Sequence, residues 1–217
     1  MSIELLMELA NATLQTAEMV VIASFFAVLG GLPLGVLLLI TKDPYFSQHI
    51  VIHRSLAIII NMARSIPFII LLVAITPLTQ LIMGTSIGTA AAMVPLALSA
   101  IPFYARIVES AIKEVPEGLK EAAVAMGASP LQIIYKVLLP EAYGSLIRGV
   151  TLTVITLIGY SAMAGAIGGG GLGDLAIRYG YQRFELNVMI WTVLVLIAMV
   201  QVLQWLGDYF GSKRGFL

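Results

Sequence analysis

His49 and His53 lie four residues apart, so one face of a helix would carry both imidazoles. No glutamate follows the first histidine, so the H-E-x-x-H zinc signature is missing and a plain pair of loop histidines is the better reading. Gly168, Gly170 and Gly173 have the G-x-G-x-x-G spacing. A dinucleotide fingerprint must follow a strand in a βαβ unit, whereas these glycines follow a long apolar segment. They read as a tight turn where small residues let backbones approach, with or without a part in gating. No G-x-x-x-x-G-K-[ST] occurs. The chain therefore has no P-loop, and any ATP-driven step would use nucleotide and magnesium held by another polypeptide. The absence of cysteine excludes disulfides and thiolate metal sites.

Two polar groups embedded in apolar sequence remain. Arg64 sits in Asn61-Met62-Ala63-Arg64-Ser65-Ile66-Pro67. A charge deep in a bilayer costs at least about 2.5 kcal/mol, so it faces protein or water. Arg64 is either a pathway or gate residue or, the favoured reading, an arginine that snorkels to the surface or holds a helix contact. Pro67 is expected to loosen the helix near Ala63. Tyr160, Ser161 and Met163 place a phenol, a hydroxyl and a thioether among small residues within one span. They are the expected lining of a solute path.

The elements that position these groups follow from composition. The 217 residues are 59% hydrophobic and 11% charged, with mean hydropathy +0.99. Soluble domains run near about 45–50% apolar and about 25% charged, so this is an integral membrane protein in contact with lipid. Net charge is zero and no basic, aromatic-interleaved run occurs, which argues against nucleic acid as a partner. Spans of about 20 apolar residues are expected near 16–40, 55–83, 87–112, 144–167 and 186–207. Backbone polar groups in lipid must be satisfied internally, so the fold is all-α with five transmembrane helices. The whole chain, 1–217, reads as one transmembrane domain with its core at about 13–207. The N-terminus lacks a basic region and a cleavage site, so the first helix is expected to remain as a span.

Residues 116–140 are too short and too polar to cross. Pro116 suits the first position of a helix. Leu119, Ala122, Ala123 and Met126 recur at i, i+3, i+4 and i+7, one apolar stripe beside Glu121. Gly127 suits a left-handed closing position. Ser129, Pro130 and Gln132 start a second helix through a capping box, and Pro140 is expected to stop it. Lys and Arg crowd one side of the membrane. With the N-terminus outside and the C-terminus in the cytoplasm, nine of the twelve basic residues, Lys213 and Arg214 among them, lie inside. The elbow then faces the cytoplasm.

Glu121, Ala122, Ala123, Gly127, Val137, Leu139 and Pro140 resemble the Glu-Ala-Ala loop of ABC-importer permeases, with valine where isoleucine is frequent. Arg64–Leu72 and the Gly159–Tyr181 block extend the likeness over nearly the whole chain, toward permease subunits of methionine ABC importers. The resemblance implies a type I importer permease in the bacterial inner membrane. It implies a second copy of the chain, two cytoplasmic ATPase subunits gripping the 116–140 loop, and a periplasmic or lipid-anchored methionine-binding protein. ATP and magnesium would belong to the ATPases, with no cofactor and no catalysis in this chain. The implied substrate is methionine in either enantiomer. The alternatives are another small amino acid or peptide, or a secondary transporter that ignores ATP. The scarcity of intramembrane carboxylates argues against the last.

Overall fold

The computed structural model describes residues 3–46 and 48–212. Lys213 and Arg214 lie outside the described residues. Among those residues every regular element is helical. Four helices are long and apolar enough to cross a membrane: α1 (Ile3–Ile40), α5 (Thr89–Lys113), α9 (Tyr143–Ala164, extended by a π-helical stretch over Gly165–Gly169) and α11 (Leu186–Ser212). α1 lies along α5, α9 packs on both, and α11 covers α9.

The second expected span is not one helix. It is broken into α2 (Ile50–Ser65), α3 (Phe68–Ala74) and α4 (Thr76–Met83), and α3 leaves α2 at 98°. Pro67 is the cause. Its ring disfavours the helical conformation at the residue before it, and Ile66 is extended at φ −79°, ψ 121°. The loosening expected near Ala63 is thus a full break two residues beyond Arg64. Pro77, in the first turn of α4, follows a second interruption at Ile75.

α1 also differs from expectation, starting well before residue 16. Its 38 residues extend for about 57 Å, against roughly 30 Å of hydrocarbon, so its first turns form an overhang. Glu4, Glu8 and Asn11 make that overhang polar in sequence. It is helical because Leu9 and Ala12 on its other side are buried with Leu172, Leu175 and Val188.

Gly31 and Gly35 set the α1–α5 packing. A Cβ on Gly35 would lie 2.5 Å from the Ala105 carbonyl oxygen and 2.6 Å from Val108 Cβ, and one on Gly31 would lie 2.9 Å from the Ile101 carbonyl oxygen. This is small-xxx-small packing, in which backbones approach closely without a hydrophobic drive between helices. Below it, Tyr104, Val108 and Ile112 of α5 join one core with Leu39 of α1 and Leu146 of α9. Gly35→Val forces α1 off α5 because the nearest obstacle is backbone. Reversible unfolding in mixed micelles is expected to show a loss of about 1–3 kcal/mol. Unchanged stability would mean that the close approach does not hold the bundle.

Candidate functional site

The elbow begins at Pro116, which stands just before α6 (Glu117–Ala125) as its N-cap and not at its first helical position. Gly127 takes φ +77°, the left-handed conformation that closes the helix, and the Ala128 N–H donates to the Ala123 carbonyl at 3.0 Å. Ser129 then caps α7 (Pro130–Ile133). Its Oγ accepts from the Gln132 N–H at 3.4 Å, and Gln132 Oε1 accepts from the Ser129 N–H at 2.9 Å.

Pro140 does not stop this helix. α7 passes into a π-helical turn over Ile134–Leu138, then α8 (Leu139–Glu141), and α9 follows after Ala142. A proline within a helix lacks a donor and clashes with the carbonyl four residues back, here Lys136. The widened π turn precedes the ring, and the rod goes on: the Ala142 N–H donates to Leu138 and the Leu146 N–H to Ala142, each at 2.9 Å. The second arm of the elbow is therefore mechanically continuous with a membrane span.

The expected apolar stripe splits. Leu119, Ala122 and Met126, the last 81% exposed, turn outward with Glu121, while Ala123 is buried in the chain's own core. Ala123 packs with Ile133, Ile134 and Leu138 beneath α5, so it holds the elbow and does not present a surface. Val124, Leu131 and Tyr135 join the exposed apolar patch. Exposed apolar surface of this kind marks an interaction site. The sequence signal for two of them was the i, i+4 spacing of Leu131 and Tyr135 on an arm read as ending at Pro140.

The loop after α1 clamps the elbow. Lys120 Nζ pairs with Asp43 Oδ2 at 2.9 Å, with side chains only 11% and 9% exposed. The Tyr45 hydroxyl donates to Glu121 Oε1 at 3.1 Å, and Lys120 Nζ lies 5.6 Å from the Tyr45 ring centre. The bond to the Glu121 carboxylate raises the Tyr45 phenol above its ordinary pKa of 10.0, and the carboxylate charge adds to it. The phenol thus stays a donor across the physiological range. His53 serves the same region, with Nδ1 3.0 Å from the Leu38 carbonyl oxygen, so it joins α2 to α1. His49 precedes the first residue of α2 and makes no side-chain cap.

The membrane residues do not share one face. Arg148, Leu152, Thr156, Gly159 and Met163 recur at spacings of four, four, three and four along α9, and this stripe is left uncovered by the rest of the chain. Met163 belongs to it, 46% exposed. Tyr160 lies at its edge, stacked on Phe68 with ring centres 4.5 Å apart and planes at 2°. Ser161 does not belong. It is 1% exposed, and its hydroxyl donates to the Ile158 carbonyl at 2.8 Å. The expectation that all three face one path is corrected by helical phase: Ser161 is turned about 160° from Met163, at about 100° per residue. Arg64 is exposed at the last turn of α2, its guanidinium 6.0 Å from the Phe103 ring centre.

At the far end of α9 the glycine-rich turn is pinned. α10 (Gly171–Leu175) starts with the Gly171 N–H donating to Gln15 Oε1 at 2.8 Å and the Leu172 N–H donating to Thr16 Oγ1 at 2.9 Å. The Gly88 N–H donates to the Gly168 carbonyl at 2.9 Å. The turn is bound to α1 and to the start of α5, and its nucleotide-like spacing is a by-product of close backbone approach.

The clamp makes a prediction. Asp43→Ala leaves the buried charge of Lys120 unpaired. Amides of Leu119–Ala125 are expected to exchange hydrogen at least about tenfold faster, about 1.4 kcal/mol of lost local stability. An unchanged rate would show that apolar contacts alone hold the elbow.

Comparison with known proteins agrees with this geometry. The model of the family "Binding-protein-dependent transport system inner membrane component" matches residues 31–215. The "Probable D-methionine transport system permease protein MetI" of Vibrio cholerae serotype O1 is 54% identical over 200 residues, covering 92% of this chain and 89% of that protein. The D-methionine transport system permease protein MetI of Escherichia coli K12 is 50% identical over 157 residues, 72% of each chain. A solved structure of inward-facing conformations of the MetNI methionine ABC transporter superposes with TM-score 0.95 at 46% identity, covering 97% of this chain and 98% of that one. An amino acid ABC transporter with histidines shares the fold, with TM-score 0.78 at 19% identity. An exposed elbow rooted in the core, and a match over most of the chain, place it in one group: the chain belongs to the binding-protein-dependent transport system inner membrane component family.

Proposed function

We propose that this chain is the permease subunit of an ATP-driven importer of methionine, in the L and D forms. Two copies pair about a twofold axis, two ATPase subunits carrying ATP and magnesium dock on the elbows, and a methionine-binding protein delivers substrate from outside. The N-terminus lies outside and the C-terminus in the cytoplasm. Positive charge supports that orientation, since Lys42, Lys113, Lys120 and Lys136 all lie at the elbow end. The observation that carries the reading is the elbow: an exposed apolar patch on a capped, clamped hairpin rooted in α5 and continuous with α9. The methionine-transport relatives supply the substrate.

The geometry supports a lever. ATP binding draws the ATPases together, and each pulls on Leu119, Glu121, Ala122 and Met126. Ala123, Ile133, Ile134 and Leu138 lock the elbow to the lower halves of α5 and α9, so the pull moves these helices as one body. The uncovered α9 stripe, with Met163 in it and Tyr160 at its edge, then shifts against its counterpart in the second copy. That is alternating access by rigid-body motion.

Methionine uptake into vesicles that hold this chain with its ATPase and binding protein tests the reading. Uptake is expected with ATP and absent without it. ATP-dependent transport that excludes methionine would replace the substrate and keep the lever. Uptake driven by a proton gradient would remove both.

Two substitutions test the elbow itself. Gly127→Pro forbids φ +77°, and Glu121→Lys puts a second cation beside Lys120 while removing the Tyr45 acceptor. Each is expected to lower co-purification of the ATPase and to cut uptake at least about tenfold, the effect of about 1.4 kcal/mol. Wild-type association and uptake in both would take the coupling role away from this segment.

A further inference from the structure

A polar cleft of about 680 Å³ opens between α2, α5 and α9, near the elbow end of the bundle. Arg64, Arg106, Lys113 and Arg148 line it with Glu109 and Glu114, so four cations face two carboxylates and leave an excess of two positive charges. Glu109 is paired with two of the cations, whereas Glu114 is paired with none. Glu109 is buried and accepts from Arg106 at 2.6 Å and from Lys113 at 2.5 Å. Glu114 accepts from the Ser145 hydroxyl at 2.9 Å, and that same oxygen accepts from Arg148 Nη2 at 3.0 Å. Arg64 has no carboxylate within ion-pair distance among the described residues; the aromatic face of Phe103 is its recorded neighbour. Arg106 spends its Nη2 on Asn61 Oδ1 at 2.9 Å and the Ala57 carbonyl at 3.2 Å, while its buried Nε has no partner.

Unneutralised cations between low-dielectric helix walls focus a positive field and concentrate anions there. Arg148 is also the first residue of the uncovered α9 stripe, whose Thr156, Gly159 and Met163 contrast with the lipid-suited Ile190, Leu194, Ile197 and Trp205 exposed on α11. The cleft thus shares Arg148 with the stripe and takes no lining residue from α11.

We propose that this cleft is a transit site for the carboxylate of the transported amino acid, with Arg64 and Arg148 as its ligands. Glu114, linked to Arg148 through Ser145, is the group placed to meet the ammonium. The Arg106–Glu109–Lys113 cluster fixes α2 to α5 and so holds Arg64 at the cleft. The inference rests on the importer reading above.

The cysteine-free chain allows a local test. Ser110 lines the cleft and is exposed, so Ser110→Cys is introduced as the single cysteine of this chain in the complete importer. A negatively charged methanethiosulfonate is expected to label it at least about tenfold faster than a positively charged one, relative to free thiol. Millimolar L-methionine is expected to slow labelling several-fold, and methionine methyl ester to leave it unchanged. Arg64→Gln and Arg148→Gln should each abolish the protection, and Arg64→Lys should restore it. Equal protection by the ester, or protection retained in both glutamine variants, would overturn the site. So would labelling that follows the phosphatidylglycerol content of the vesicles and ignores methionine, which would make the cleft a lipid headgroup site. ATP-driven methionine uptake by the unsubstituted complex separates the two claims. Uptake without protection removes the site alone, and absence of uptake removes the importer reading with it.

Discussion

The bundle depends on how close two backbones come. Where Gly31 and Gly35 meet Ile101, Ala105 and Val108, α1 and α5 approach within the space of a missing Cβ. In lipid the burial of apolar side chains gives little drive for helices to associate, so dense packing must supply it. Nearly every other element takes its place from this pair. α9 lies against both helices, the pieces of the second span lean on α5, and the elbow is rooted under the far end of α5. The glycines carry a mechanical consequence as well. A contact made of backbone has no side chains to repack, so α1 and α5 behave as one rigid unit.

The other helices are drawn differently. α2, α3 and α4 are short, separated by breaks at Ile66–Pro67 and Ile75, and lightly packed. α9 is continuous from the elbow through the π turn and Pro140 up to the glycine turn. This rod is joined to the elbow at one end and pinned to α1 and α5 through the glycine turn at the other. The π turn is where such a rod bends at least cost, because its hydrogen bonds are already widened there. The proline expected to end the helix sits inside it, just past that turn.

Much of this was legible in the residues. Hydropathy located four spans within a few residues at most of their ends, and the elbow's caps were read correctly from Gly127, Ser129 and Gln132. The misreadings have a common origin in tertiary structure. The overhang of α1 carries Glu4, Glu8 and Asn11, and nothing local says that Leu9 and Ala12 will find Leu172 and Val188 some 160 residues on. Pro67 announced a weak point, but a break of 98° needs neighbours able to satisfy the freed backbone. Ser161 and Ala123 were placed with their neighbours on composition, when helical phase turns both toward the chain's own core. The clamp of Asp43 and Tyr45 on Lys120 and Glu121 joins residues 77 and 76 positions apart, and no spacing rule reaches that far.

The bonds from Gln15 and Thr16 to the glycine turn reach across 156 residues of sequence. At about 5–20 residues per second, roughly 8–30 s of synthesis separate the two halves of that contact. During that interval α1 has been made, yet the face that will bury Leu9, Ala12 and Thr16 lacks these partners. That end of the bundle is therefore completed only once the glycine turn and the start of α11, with Val188, have been made.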